Sequence, residues 1–373
     1  MRQLLACAIA VLLGSGAAGA RAEEASNLAK PPGVPELTTA LETLAKCENP
    51  AVKAYAKRLV EVFAKHKVPL PAALSDLTVL QAGVEALSEG DRATIGEATK
   101  TVYQFLDGAG AEQDQLRWYS ALYCEVLSTV TEACPDRPTQ FSAGLCLTMV
   151  ASDGERSARL EIGSAARALG TMIRRALDTP NEELTDEIVA GIHMLSMGII
   201  AEYIRLQALA AEEPTKAALD AEVDELARRA EAEKSAARAP NAVEAFGAAS
   251  ALLKELREHT EEIVARASAT QEATRLTNLL IEAVNKGDTR AIYACMPGEA
   301  PPEAEAAAVS PSLFVKDPSA KALRLVAVRP YYFAQGMLSA IFHLEIIDEK
   351  GVARAWMEEI DFVKTDKGWK LNW

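Results

Sequence analysis

Histidine is scarce in this 373-residue chain: His66, His193, His259 and His343 are scattered, and none has a metal-type companion three or four residues away. That excludes the usual local pattern of a zinc or iron centre, and His193, on an apolar helical stripe, reads as a core histidine. Beyond residue 22 there is no GxxxxGK[ST] loop, no HExxH, no pair of CxxC motifs and no GxSxG, so nucleotide, metallopeptidase and serine-hydrolase chemistry leave no local signature. Gly14-x-Gly16-x-x-Gly19 has the spacing of a dinucleotide loop but no strand before it. Basic residues are outnumbered, 39 against 53 acidic ones, for a formal charge of −14. Phosphate backbones are repelled by such a chain, so nucleic acid is not an expected partner. No later stretch reaches 18 uninterrupted apolar residues, and no membrane span is expected.

What is present begins with a leader. Residues 1–22 carry a basic start at Arg2, an apolar run from Leu4 to Leu13 and the small-residue ending Ala20-Arg21-Ala22, an A-x-A cleavage pattern. The expectation is a signal peptide, an exported chain in a periplasmic or extracellular space, and a mature terminus at Glu23. Removing Arg2 and Arg21 with no acid moves the charge from −14 to −16. Five cysteines remain: Cys47, Cys124, Cys134, Cys146 and Cys295. Cys124 and Cys134 on one helix would stand about 15 Å apart, too far to bridge. The turn at "PDRP" suggests instead a Cys124–Cys146 bridge between neighbouring helices, with Cys134–Cys47 as a second pairing; five small core thiols are the alternative.

After a flexible stretch over 23–34, residues 35–211 show apolar spacing of helical period, punctuated by "ENPA", "VPLPAA", "SEGDR" and "CPDRP". An all-α domain of helices joined by short turns is expected. Its best-defined helix starts at Thr179-Pro180-Asn181-Glu182, where Thr caps and Pro takes the first helical position, and continues through Leu184, Ile188, Ile192, Leu195, Ile199 and Leu206. Residues 212–270 read as a charged helical arm or linker with one thin seam, Leu219, Val223, Leu226 and Ala230.

Residues 271–373 change character. A helix face at Leu276, Leu280 and Val284 ends in "NKGD", where Gly287 suits a left-handed cap and Asp288 can cap the next helix, "AIYACM". Strand patterns follow near 323–329, 337–347, 352–363 and 369–373, joined at "DEKG" and "TDKG" by glycine turns. Alternation puts Phe342, Trp356, Arg354 and Glu358 on the apolar side and His343 on the other.

A helix with "AVNKGD", a short second helix and a meander ending in "FVKTDKGWKLNW" resembles the nuclear transport factor 2-like, or ketosteroid-isomerase-like, cone domain over about 100 of the 373 residues. The resemblance implies an α+β unit whose helices close over a curved antiparallel sheet, with a pocket that serves small ligands, dimers or acid–base chemistry. The fold expected is thus α+β, an N-terminal all-α domain followed by a small cone-like domain. The function expected is an exported, non-catalytic binding protein holding a small ligand or partner segment near Glu358, Arg354, Trp356, Phe342 and Tyr293. Two alternatives stand: a structural or assembly protein acting through its helical domain, and an acid–base enzyme using Glu358. No cofactor or metal is expected. A small apolar or anionic ligand, a second copy or another protein are the partners the chain allows.

Overall fold

The computed structural model describes residues 32–77, 87–109, 116–152, 162–178, 184–297, 310–334 and 336–372. The expected leader, all but the end of the flexible 23–34 stretch, the Thr179–Glu182 helix start and Trp373 lie outside them. The N-terminal region is helical and the C-terminal region is an antiparallel sheet preceded by helices. The helices are α1 (Val34–Lys46), α2 (Pro50–Lys65), α3 (Glu89–Ala109), α4 (Leu116–Ala133), α5 (Arg137–Ser152), α6 (Ile162–Leu177), α7 (Asp186–Met194), α8 (Ile200–Ala210), α9 (Lys216–Ala236), α10 (Pro240–Lys286), α11 (Thr289–Ala294) and α12 (Pro311–Phe314). The strands are β1 (Ala322–Ala334), β2 (Met337–Ile347), β3 (Ala353–Thr365) and β4 (Gly368–Asn372).

Two compact units divide the chain: residues 1–151, 160–206 and 221–257, and residues 152–159, 207–220 and 258–373. Helices α8, α9 and α10 each contribute residues to both. The expected boundary at 270/271 therefore falls inside one continuous 47-residue helix.

In the first unit local chemistry starts the helices where the punctuation suggested. "ENPA" is a cap: the Asn49 side chain accepts from the Ala51 amide at 2.9 Å, and Pro50 begins α2, where its missing N–H costs nothing. Helix α1 buries Leu37, Leu41 and Leu44, and α2 buries Tyr55, Leu59 and Phe63. Helix α4 packs on α2 and α6. Where α7 crosses Phe141, a Cβ on Gly191 would meet the ring at 2.6 Å, so the contact needs glycine.

Three expectations are corrected here. The long helix expected from Thr179 starts its described course at Asp186, where the Thr185 hydroxyl accepts from the Ile188 amide. It then breaks at a π-turn, Leu195–Ile199, because Gly198 takes φ +126. This 186–210 stretch is long and apolar enough to cross a membrane by length and composition; Ile192, Leu195, Ile199 and Ile200 are core residues of the unit, and His193 is only half-buried. The expected arm does not protrude: Leu219, Val223, Leu226 and Ala230 are all buried along α9. Nor is there a Cys124–Cys146 bridge, or one from Cys134 to Cys47, since none of the five cysteines forms a disulfide. Because α4 lies mainly against α2 and α6 rather than α5, the turn does not set Cys124 against Cys146. Burial raises the thiols of Cys47, Cys134, Cys146 and Cys295, pushing Cys146 up to about 11.

In the second unit "NKGD" makes the turn anticipated for it. Gly287 has φ +66, and the Asp288 carboxylate accepts from the Ala291 amide at 3.0 Å to start α11. Asn285 does something the sequence did not suggest. Its side-chain amide donates to the Leu323 carbonyl and accepts from the Leu323 amide, both at 2.8 Å, so it pairs the end of α10 with β1 as a neighbouring strand would.

The sheet has the order β1-β2-β3-β4, each pair antiparallel. Gly336, Gly351 and Gly368 supply the positive φ that the three turns demand. One sheet face carries Leu338, Ala340, Phe342, Leu344 and Ile346 from β2, Ile360 and Phe362 from β3 and Leu371 from β4. These pack with Leu276, Leu280 and Val284 of α10, Ile292 of α11 and Phe314 of α12 into one closed core. Burying Phe342, tilted against Phe362 at 5.7 Å, is worth roughly 1.5–3 kcal/mol.

Candidate functional site

The strand alternation that fills the core also places charge beside it. In the β2–β3 ladder Ile346 stands opposite Arg354, Leu344 opposite Trp356, Phe342 opposite Glu358 and Ala340 opposite Ile360, with no break in register. Arg354, Trp356 and Glu358 therefore share the core-side face. The irregularities lie in β1, after Leu325 and after Pro330. Of the five residues singled out from sequence, Phe342, Arg354, Trp356 and Glu358 share this core-side face on neighbouring strands, and Tyr293 lies on α11. Phe342 is sealed in the core, and Tyr293, half-buried on α11, does not hydrogen-bond Glu358.

Arg354 is exposed, and its Nη2 donates at 2.6 Å to both the Asp317 carboxylate and the Ser319 hydroxyl. Hydrogen bonds from the Ser319 hydroxyl and amide, then from Arg354, hold the Asp317 carboxyl below its ordinary range. The Arg354 Nε and Nη1 atoms and the Glu358 carboxylate make no hydrogen bond among the described residues. Glu358 is half-buried beside the half-buried Trp356. Along the strand the two charges are roughly 13 Å apart, too far to pair with one another.

The other face of the sheet is polar, and several of its groups pair with one another. Glu345 is buried and takes the Arg324 Nε at 2.6 Å, Ser339 donates to Asp361 at 2.5 Å, and Tyr331 reaches Glu359. His343 lies on this face, opposite Ala327 and Met357, and is buried.

What sets β3 apart is how little of it β4 covers. The β3–β4 ladder runs only from Asp361 to Thr365. The Lys364 amide donates to the Gly336 carbonyl at 2.7 Å, so even-numbered residues of β3 direct their backbone groups towards β2. Odd-numbered residues direct theirs the other way. Ala353, Ala355, Met357 and Glu359 thus present N–H and C=O groups along an edge where no strand pairs among the described residues. Arg354, Ala355 and Glu359 are exposed, and Met357 is 57% exposed.

A recess of about 250 Å³ lies in the helical unit along α2, α4 and the start of α6. Arg58 pairs with Glu132 at 3.3 Å and Lys65 with Glu125 at 2.9 Å; Arg167 reaches Glu132 at 3.7 Å. None of these residues was singled out from sequence, although a signal exists: 58 and 65, like 125 and 132, are seven apart, so each pair shares one helix face. Their charges satisfy one another and leave little to offer a ligand.

No family model matches this chain, and no curated protein or solved structure matches it either.

Proposed function

We propose that this chain is an exported, non-catalytic binding protein whose C-terminal unit is a nuclear transport factor 2-like domain, and that it takes an extended segment of a partner along the free edge of β3. One observation carries the reading: four residues whose outward backbone groups pair with no strand among the described residues alternate with Arg354, Trp356 and Glu358 on a regular strand. Strand addition needs that combination, with main-chain hydrogen bonds for affinity and alternate side chains for selectivity. The family reading is supported by the Gly287–Asp288 turn between α10 and α11 and by the four-stranded meander closed by those helices. Export rests on residues 1–22.

An enclosed small ligand is less well supported, since the side chains of the core-side face pack against α10, α11 and α12. Acid–base catalysis by Glu358 would need a second group beside it, and Tyr293 is not joined to it.

The test places a photo-crosslinking phenylalanine analogue at Met357, and as a control at the 77% exposed Met197 of the π-turn, in the full chain expressed with its leader. An adduct at 357 and none at 197, in exported protein whose intact mass begins at Glu23, is expected. No adduct at 357, or a copurifying small molecule that Glu358→Gln releases, would overturn the reading.

A further inference from the structure

We infer that the segment received by β3 is the β3 strand of a second copy, paired antiparallel about a twofold axis through Trp356. This rests on the strand-addition reading and names its partner.

Two independent features fix the same centre. The first is backbone geometry. Outward N–H and C=O groups belong to residues 353, 355, 357 and 359, bounded by the 348–351 turn at one end and by β4, which begins pairing at Asp361, at the other. A twofold antiparallel pairing that engages all four must map 353 onto 359 and 355 onto 357 of the other copy. Its midpoint is residue 356. Such a pairing makes about eight backbone hydrogen bonds, because each of these pairs exchanges two.

The second feature is side-chain chemistry. With 356 at the centre, Arg354 faces Glu358 of the other copy and Glu358 faces its Arg354. These are non-hydrogen-bonded positions, where side chains come closest. Moving the axis by one residue loses both ion pairs: a centre at 355 sets Arg354 against Trp356, and a centre at 357 sets Trp356 against Glu358. On the core-side face Trp356 meets its own copy. On the other face Ala355 meets Met357 and Ala353 meets Glu359, small against large and without like charges. Arg354 can serve both partners, because Asp317 and Ser319 engage only its Nη2. A strand that pairs with itself wants opposite charges placed symmetrically about one residue, and Arg354-x-Trp356-x-Glu358 has that form.

The experiment is a charge exchange in the mature full-length chain, followed by sedimentation velocity over a concentration series. The parent is expected to form a dimer. Arg354→Glu and Glu358→Arg each place like charges at both mirrored positions, and each should weaken self-association on the order of tenfold to a hundredfold. Mixing the two variants should restore a dimer containing one of each, since every mirrored pair is then of opposite charge. Met357→Pro removes an outward N–H at an edge, where proline is tolerated, and should weaken the dimer while the far-ultraviolet circular dichroism is unchanged. A parent that stays monomeric, a mixture that does not recover, or a proline variant that associates like the parent overturns the proposal. If the crosslinker at 357 yields adducts with other proteins and none of twice the chain mass, the second copy is wrong while strand addition survives. If it yields none at all, both fall.

Discussion

The helical unit and the sheet unit place their polar groups differently. In the helical unit several are matched to one another inside the fold: Tyr203 donates to Glu222 at 2.8 Å and accepts from Arg174 at 3.1 Å, and Tyr55 shares a buried hydrogen bond with Thr99, while the Tyr103 and Thr131 hydroxyls are buried with no hydrogen-bond partner among the described residues. Its recess is lined by ion pairs that answer one another across α2 and α4. In the sheet unit several outer-face groups pair in the same manner, but one strand edge retains amides and carbonyls, and the adjoining face a carboxylate, with no described partner. The contrast separates polar groups that specify a fold from those able to recognise something else. A buried polar group left without a partner costs about 1–3 kcal/mol, whereas one at an accessible edge is solvated and can exchange water for a protein at little penalty.

The comparison can be tested from its strongest to its weakest point. Phe342→Ala should cost about 3–5 kcal/mol, measured by chemical denaturation, because the ring is fully buried against Phe362 and leaves a cavity. Hydrogen exchange should then show the loss in β2 and β3 and not in α1 and α2. A loss spread evenly over both units would erase the distinction between them.

Tyr203→Phe should cost the helical unit about 1–3 kcal/mol, since Arg174 and Glu222 both lose the hydroxyl between them. The same residue gives a pH signature. Burial, then its hydrogen bond to Glu222, raises the Tyr203 hydroxyl above its ordinary value near 10, and burial likewise raises Tyr55 and Tyr103. An unfolded chain releases these protons near pH 10 while the folded chain keeps them. Their contribution is therefore present in full below about pH 10 and is lost progressively above it. Urea titrations from pH 8 to 11 should show that fall, with a shallower slope in Tyr203→Phe.

Asn285→Ala should cost about 1–2 kcal/mol in thermal melts by stripping both backbone groups of the buried Leu323 of their partner. Glu358→Gln and Arg354→Ala should each stay within about 0.5–1 kcal/mol of the parent, as expected where a charge is accessible or its ion pair is exposed. A destabilisation of 2 kcal/mol or more in Glu358→Gln would mean that this carboxylate belongs to the fold and is not held for recognition.

Period-two alternation and the two glycine turns "DEKG" and "TDKG" made the strands legible, and "NKGD" announced its own geometry through Gly287 and Asp288, because these are local signals. The face shared by Arg354, Trp356 and Glu358 could also be read, since β3 runs without a bulge. What stayed hidden depends on pieces remote in sequence. That half of β3 pairs with no strand among the described residues is decided by β4, which has only five residues. The break at Gly198 could not be told from a tolerated helix glycine, and the seam of α9 looked thin because its burial comes from tertiary packing. The proposed Cys124–Cys146 bridge failed for a related reason: it assumed that helices adjacent in sequence are the ones that pack.

The two long edges of the sheet are not equivalent, and this limits how the chain can assemble. Strand β1 is broken in register twice and carries Pro330, devices that spoil an edge as a template. The other long edge is straight over 353–359. Pairing of that edge with its own copy consumes it in both molecules, so growth along it would end at two chains. An isologous contact of this kind cannot propagate into a fibre.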